Sequence, residues 1–332
     1  MAVRTLAIAT AAVLLHGTAV RGQSATFEVT QSAGYSTEQV AAAATQAKVF
    51  GDAWAGIRFT AEAAWGARSE SESDVFGAAY PYENRLQVIE AFGERIFQPG
   101  PSLFVLRAGR YRTPFGISNG SDHAYTGFLR APLIRYDDYY ALSNNFLEHG
   151  LDVVVGTPRA SLEVSAGTPG DVGEAQRRHG LDTVVRGQLA GGPLVVGVSY
   201  LDTLPYQPAI YAFGRATFTG VDVRWMQAGV QVRSEWITGQ PFDGTTTTGG
   251  YVDVIVHRPR MGPVTAVARA ERLDYQAPPP FALRTRRYTA GARIRMIQAL
   301  MLQLELVRQP PELPPYHSTM LDVAITYSIR RD

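Results

Sequence analysis

The chain has 332 residues, of which 45% are hydrophobic and 18% charged, with no cysteine, a formal net charge of +1 and a mean hydropathy of −0.08. This composition excludes a collagen-like chain, a charged disordered chain, a disulfide-stapled miniprotein and a helical membrane protein. The length suffices for two ordinary domains or for one large β domain.

The first predicted element is an N-terminal export signal. Arg4 precedes the apolar run Leu6–Leu15, which is too short to cross a bilayer, and small residues around Gly22 are typical of a cleavage site. We therefore predict a signal peptide over residues 1–22, with a buried N-terminal helix as the alternative. Loss of Arg4 and Arg21 would lower the formal charge by two, from +1 to −1. A near-neutral chain argues against a nucleic acid partner.

From residue 23 onward, apolar and polar residues alternate with a period of two, which is typical of strands with one apolar face. Near the C-terminus, for example, Leu302, Leu304 and Leu306 alternate with Gln303 and Glu305. Turn residues between such runs predict sixteen strands. They are expected at 24–32, 41–51, 54–66, 84–97, 102–112, 148–156, 159–168, 180–190, 193–202, 215–225, 228–238, 249–258, 263–273, 286–296, 299–308 and 318–329.

The connections between these strands alternate between tight turns and long loops. Strands of about ten residues in even number, with one apolar face, one polar face and this alternation, are typical of transmembrane barrels. Barrel closure also removes the edges that an open sheet of this size would expose. We therefore predict that residues 23–332 form a single all-β domain, a transmembrane antiparallel β-barrel with short periplasmic turns and long external loops. The absence of cysteine fits an exported chain.

The fifth predicted strand runs into the segment Gly-Arg-Tyr-Arg-Thr-Pro-Phe-Gly, from Gly109 to Gly116. This segment is similar to a strand-end motif of the phosphate-selective and related substrate-specific porins, and the whole pattern resembles a Gram-negative outer-membrane porin. The resemblance implies a sixteen-stranded barrel in the outer membrane, usually trimeric, whose third external loop folds inward. The longest predicted connection, 113–147, lies where that loop is expected.

Two features depart from the family pattern. Lys48 is the only lysine on a predicted strand, so the lysine ladder expected for phosphate is absent. A typical barrel ends on an aromatic residue, whereas here Tyr327 is followed by residues 328–332.

Selection in a porin depends on the pore diameter and on the charged groups that line the pore. Loop 113–147 and the strand before it supply the candidates for the constriction. Strand alternation places Arg107 and Arg110 on opposite faces unless a bulge intervenes. The candidates are Arg107, Arg110, Arg112, Asp122, Arg130, Arg135, Asp137 and Asp138.

A second set of charged residues is placed on the polar, lumen-lining face by alternation. Its two signs are nearly balanced, so the members either neutralise one another, for example Asp222 with Arg224, or form an arginine wall that faces an acidic loop. The set consists of Arg58, Glu62, Glu163, Asp182, Arg186, Asp222, Arg224, Arg233, Glu235, Asp253, Arg269, Glu271, Arg293, Arg295, Glu305 and Asp322.

The expected function is passive diffusion of small hydrophilic solutes or ions, with a preference for anions. The alternatives are a non-channel barrel with a structural or adhesive role, and an exported β-rich enzyme or binding protein. His149, His179, His257 and His317 are too far apart in sequence to indicate a metal cluster, so we predict no catalytic residue, metal or cofactor. The expected partners are outer-membrane lipid, small solutes and two further copies of the chain.

Overall fold

The computed structural model describes residues 25–53, 56–69, 86–117, 127–135, 147–169, 181–203, 215–241, 244–310 and 319–331. Over these residues the chain forms one closed antiparallel barrel of sixteen strands, in which neighbours in sequence are neighbours in the sheet. This arrangement confirms the predicted fold class and strand number. The strands are β1 (Ala25–Ser36), β2 (Val40–Asp52), β3 (Ile57–Arg68), β4 (Leu86–Phe97), β5 (Leu103–Arg112), β6 (Leu147–Gly156), β7 (Ala160–Pro169), β8 (Asp182–Gly191), β9 (Leu194–Thr203), β10 (Ala216–Gln227), β11 (Val230–Gln240), β12 (Thr246–Val256), β13 (Val264–Gln276), β14 (Leu283–Ile297), β15 (Leu300–Arg308) and β16 (Thr319–Arg331).

The two ends of the barrel differ in their connections. At one end, which we call the turn end, short turns close the hairpins. Phe27 near the start of β1 pairs with Arg331 near the end of β16 at this end. At the opposite end, the loop end, the longest connection runs from 113 to 146. The predicted strands 24–32 and 41–51 leave residues 33–40 as a long loop, and this prediction is wrong, because β1 continues to Ser36 and a tight turn leads directly into β2.

The two faces of the barrel differ in polarity. Leu306 and Leu321 are 54% and 43% exposed on the outward face, whereas their neighbours Glu305 and Asp322 are fully buried on the inward face. Water-soluble proteins rarely bury charged side chains in such numbers. An apolar outside around a polar inside is the arrangement of a barrel surrounded by lipid. Among the described residues, none of the helices is long and apolar enough to cross a membrane.

The interior also contains an apolar cluster, which strand alternation alone did not predict. Phe115 and Leu133, from the connection after β5, pack against inward-facing side chains of β8 to β13 near the loop end. These inward-facing partners are Val184, Leu201, Ala216, Phe218, Ile237, Tyr251 and Leu273. The described parts of the connection after β5, residues 113–117 and 127–135, are therefore packed against the inner wall. The predicted signal peptide over residues 1–22 lies outside the described residues and stays a prediction.

The charged interior of the barrel

Residues 127–135, which we call the inner segment, run across the inner wall from β15 to β11. Gln303 donates a hydrogen bond to the Gly127 carbonyl at 3.0 Å, and the Leu129 amide donates to Glu305 at 3.0 Å. Further along, the Leu133 amide donates to Glu271 at 2.7 Å. These strands lie on the side of the closed barrel opposite β5, so the inner segment lies across the interior from the strand that precedes its connection.

Arg130 fixes the beginning of the inner segment. Its guanidinium contacts the Asp322 carboxylate at 2.6 and 3.0 Å and Glu38 at 3.2 Å, and all three side chains are 2% exposed or less. The wall contributes Arg269, which donates to the Arg130 carbonyl at 3.0 Å and stacks 3.9 Å from the centre of the Phe128 ring. Charge-assisted hydrogen bonds of this kind are about twice as strong as neutral ones.

Arg135 fixes the end of the inner segment. Its guanidinium contacts Glu235 at 2.7 Å with both side chains fully buried, and it also donates to the Phe115 carbonyl at 3.1 Å. The Ile117 amide donates to the same Glu235 at 3.2 Å. Between these residues Gly116 has a φ of +64°, and a Cβ added there would overlap the Glu235 carboxylate. The Pro-Phe-Gly part of the motif thus forms the site that holds Arg135.

The charges of the inner segment are opposite in sign to those expected for an acidic loop. Its two charged side chains are Arg130 and Arg135, and both pair with carboxylates of the wall. Over residues 127–135, the hypothesis of an arginine wall that faces an acidic loop is therefore reversed. Asp122, Asp137 and Asp138 belong to the same connection but lie outside the described residues.

Along the wall, the shortest ion pairs join residues of different strands rather than residues of one strand. Asp253 on β12 contacts Arg269 of β13 at 2.6 Å and Arg233 of β11 at 2.7 Å. In contrast, Asp222 and Arg224, which share β10, are 3.8 Å apart. Other close wall pairs are Arg186–Asp222 at 2.8 Å, Arg287–Glu271 at 3.0 Å and Lys48–Glu62 at 3.3 Å.

The lumen ion pairs are asymmetric in exposure. The Arg58 side chain is 50% exposed and its partner Glu94 is 14% exposed, while Lys48 is 31% exposed and Glu62 is 1% exposed. Arg224 is 37% exposed, whereas Asp222 beneath it is 1% exposed. The inward-facing pairs of Arg107, Arg112 and Arg233 follow the same rule, because in each of them the cation is the more exposed partner. The surface that these pairs offer to water is therefore positive.

Of the predicted constriction residues on β5, Arg107 and Arg112 face the interior. Arg107 contacts Asp152 at 3.1 Å, and Arg112 contacts Glu62 at 2.7 Å. Arg110 does not join them, because its position opposite Ala91 and His149 lies on the outward face, where its side chain contacts the His149 ring at 2.5 Å. The sixteen residues of the predicted lumen set all lie at inward positions of their strands.

Several charged residues of the interior were missing from the predicted set. Arg287 shares the parity of Arg293 and Arg295 and could have been found by extending the alternation from Arg293 by three steps of two residues. Glu94 shares the parity of Glu90, although a bulge near Ile89 hides the pattern in the first part of β4. Glu38 lies in a tight turn, so strand alternation gave no signal for it.

One short hydrolase-like pattern occurs in the same connection. Gly116-Ile117-Ser118-Asn119-Gly120 matches the letters Gly-x-Ser-x-Gly, whose meaning depends on a strand–turn–helix context. Gly116 and Ile117 instead follow β5 and donate their amides to Ser199 and Glu235 on the inner wall, while residues 118–120 lie outside the described residues. The letters alone therefore indicate no catalytic site.

Comparisons with known proteins were made by sequence and by structure. No protein-family model and no curated protein sequence matches the chain. OprB of Pseudomonas putida is 8% identical with a TM-score of 0.62, over 93% of this chain and 94% of its own. The anion-selective porin from Comamonas acidovorans is 11% identical with a TM-score of 0.59, over 92% of this chain and 100% of its own. The trimer form of OmpT of Vibrio cholerae is 8% identical with a TM-score of 0.58, over 92% and 99%. The chain therefore has the fold of the sixteen-stranded porins.

Proposed function

We propose that this protein is an outer-membrane porin, a passive channel that admits small hydrophilic solutes or ions and prefers anions. Three observations support a channel: the closed barrel, its apolar outward face and its likeness in fold to porins. In this proposal the loop end faces the outside of the cell, the inner segment narrows the lumen, and no residue has a catalytic role.

The preference for anions rests on the asymmetric exposure of the lumen ion pairs. A permeating ion meets the exposed cations Lys48, Arg58 and Arg224, while their carboxylate partners lie against the wall. Rings of positive charge favour anions in a pore. The buried pairs of Arg130 and Arg135 contribute little to this preference, because both members are sealed from water. Their role in the proposal is to hold the inner segment in place.

The test is the reversal potential of the reconstituted protein in planar bilayers under a KCl gradient. The wild type should form ohmic channels with an anion-selective reversal potential. In the triple variant Lys48→Gln/Arg58→Gln/Arg224→Gln, the reversal potential should move toward cation selectivity, because three exposed cations are removed while the carboxylates of Glu62, Glu94 and Asp222 remain. The selectivity of the wild type should weaken in 1 M salt, where the Debye length is only about 3 Å.

Arg95→Gln serves as the matched control, because Arg95 lies on the outward face opposite the exposed Ile57. This variant should keep the wild-type reversal potential. A wild type that folds but forms no channel would contradict the porin proposal in favour of a structural barrel. Channels whose reversal potential is the same in the triple variant would contradict the assignment of the anion preference.

We also propose that the protein is a homotrimer that associates through β1 to β3. The outward face of these strands carries a group of facing alanines, in which Ala33 lies opposite Ala43, Ala43 opposite Ala67, and Ala47 opposite Ala63. Small side chains let two membrane-embedded surfaces approach closely. The trimer form of OmpT from Vibrio cholerae gives the same stoichiometry on this fold.

A further inference from the structure

The outward face of the barrel carries a cluster of arginines at the loop end of three adjacent strands. Arg272 on β13, Arg284 and Arg286 on β14, and Arg308 on β15 are all exposed. The side chains of Arg272 and Arg284 are 46% and 71% exposed. We call these four residues the external arginine patch.

The rest of the outward surface is poor in charge. Within the described residues, the outward positions of β1, β2, β3, β7, β8, β10, β11 and β12 hold no charged side chain. Below the patch, toward the turn end, the outward positions hold Ala270, Tyr288, Ala290 and Leu306. Tyr288 is 52% exposed and lies opposite Arg308. Because aromatic residues such as tyrosine favour the level of the lipid headgroups, the patch lies at the outer boundary of the apolar surface.

The patch has more positive charge than its surroundings neutralise. Arg272 and Arg286 lie directly opposite each other, and like charges in that position destabilise a sheet. Asp274 is the only carboxylate on the outward positions of these strands among the described residues, and it contacts Arg284 at 2.9 Å and Arg272 at 3.4 Å. Four guanidinium groups and one carboxylate leave a net charge of about three on this surface.

We propose that the external arginine patch binds a phosphate group of a phosphorylated lipid in the external leaflet. The guanidinium group matches phosphate with two parallel hydrogen bonds, and a bound anion would relieve the repulsion between Arg272 and Arg286. The inference rests on the proposed function, because that proposal places the loop end at the external leaflet. The fatty chains of such a lipid would lie along the alanines and leucines below the patch.

The test compares the binding of lipid A, a phosphorylated glycolipid, with the binding of dephosphorylated lipid A by the folded protein in detergent micelles. Fluorescently labelled wild type should bind lipid A, and dephosphorylated lipid A should bind far more weakly. The double variant Arg272→Gln/Arg286→Gln should weaken lipid A binding by about tenfold or more, since each charge-assisted hydrogen bond contributes substantially. Arg95→Gln, an outward arginine near the turn end, should bind as the wild type does.

Each control separates one explanation from another. Equal binding by the double variant, or equal binding of dephosphorylated lipid A, would overturn the proposal. Full competition by inorganic phosphate at a similar concentration would also overturn it, because the site would then bind a free anion rather than a lipid. Heat-modifiable migration on gels reports whether each variant is folded. Retained anion-selective conductance in the double variant would separate failure of this inference from failure of the porin proposal.

Discussion

At the scale of single residues, Gly116 connects the sequence motif to the interior of the barrel. Its amide donates to Ser199 at 3.1 Å, its φ is +64°, and an added Cβ would overlap the carboxylate that holds Arg135. The sequence singled out the Gly109–Gly116 segment only as a family resemblance. It could not reveal that Glu235, more than a hundred residues away, completes the site, because that contact depends on barrel closure.

We expect Gly116→Ala to disturb the pairing of Arg135 with Glu235. The positive φ and the overlap together should lower the free energy of unfolding by about 1–3 kcal/mol, measured by urea titration in detergent. The single-channel conductance should change as well, because the inner segment would shift. Gly187→Ala is the control, since Gly187 has open space around its Cβ position and no positive φ. Wild-type stability and conductance in Gly116→Ala would contradict this account.

At the scale of elements, strand alternation predicted the wall well and the inner segment poorly. Alternation depends only on neighbours in the sequence, so it identified inward residues such as Asp253 and Arg269 even though the residues with which they form ion pairs were unknown. Residues 127–135 have no repeating pattern, and their position depends on hydrogen bonds to strands far away in sequence, such as that from Leu129 to Glu305. The apolar inward residues near the loop end, including Phe218, broke the alternation and were the available sign that something packs there.

The attachment of the inner segment to β16 can be tested through Arg130 and Asp322. Arg130→Met leaves Asp322 buried without that partner, and removal of one member of a buried ion pair costs about 3–5 kcal/mol. The double variant Arg130→Met/Asp322→Leu should be less destabilised than the sum of its single variants. We also expect Arg130→Met to show fluctuating single-channel currents, because the inner segment would keep only one of its two buried arginine ion pairs, that of Arg135 with Glu235.

A pair of similar composition on the outward surface provides the control for this prediction. Arg215 and Asp202 are 37% and 30% exposed, and exposed ion pairs contribute only about 0–1 kcal/mol. Arg215→Met should therefore change the free energy of unfolding little and leave the current steady. Additive losses in the double variant of Arg130 and Asp322 would show that the two residues act independently.

At the scale of the whole molecule, average composition conceals the arrangement that matters. A near-zero mean hydropathy and a net charge of +1 describe a protein that separates apolar and charged residues onto two faces of one sheet. The outward face is itself divided into an alanine-rich region on β1 to β3 and a region of larger side chains such as Leu162, Val185 and Val198 on β7 to β9. This division predicts where the copies of the protein associate.

Bulky substitutions on the two regions should therefore have different effects on assembly. Ala47 and Ala63 lie opposite each other on the outward face of β2 and β3, so Ala47→Trp/Ala63→Trp should prevent close approach of protomers and yield monomers by light scattering in detergent. Tryptophan is tolerated at lipid-facing surfaces, so the barrel itself should still fold and show heat-modifiable migration. Val185→Trp, on the outward face of β8, should remain trimeric. A trimeric Ala47→Trp/Ala63→Trp variant would show that the interface does not lie on β1 to β3. A monomeric wild type would refute the trimer. Neither outcome would contradict the channel, because the conductance of a single barrel tests that proposal independently.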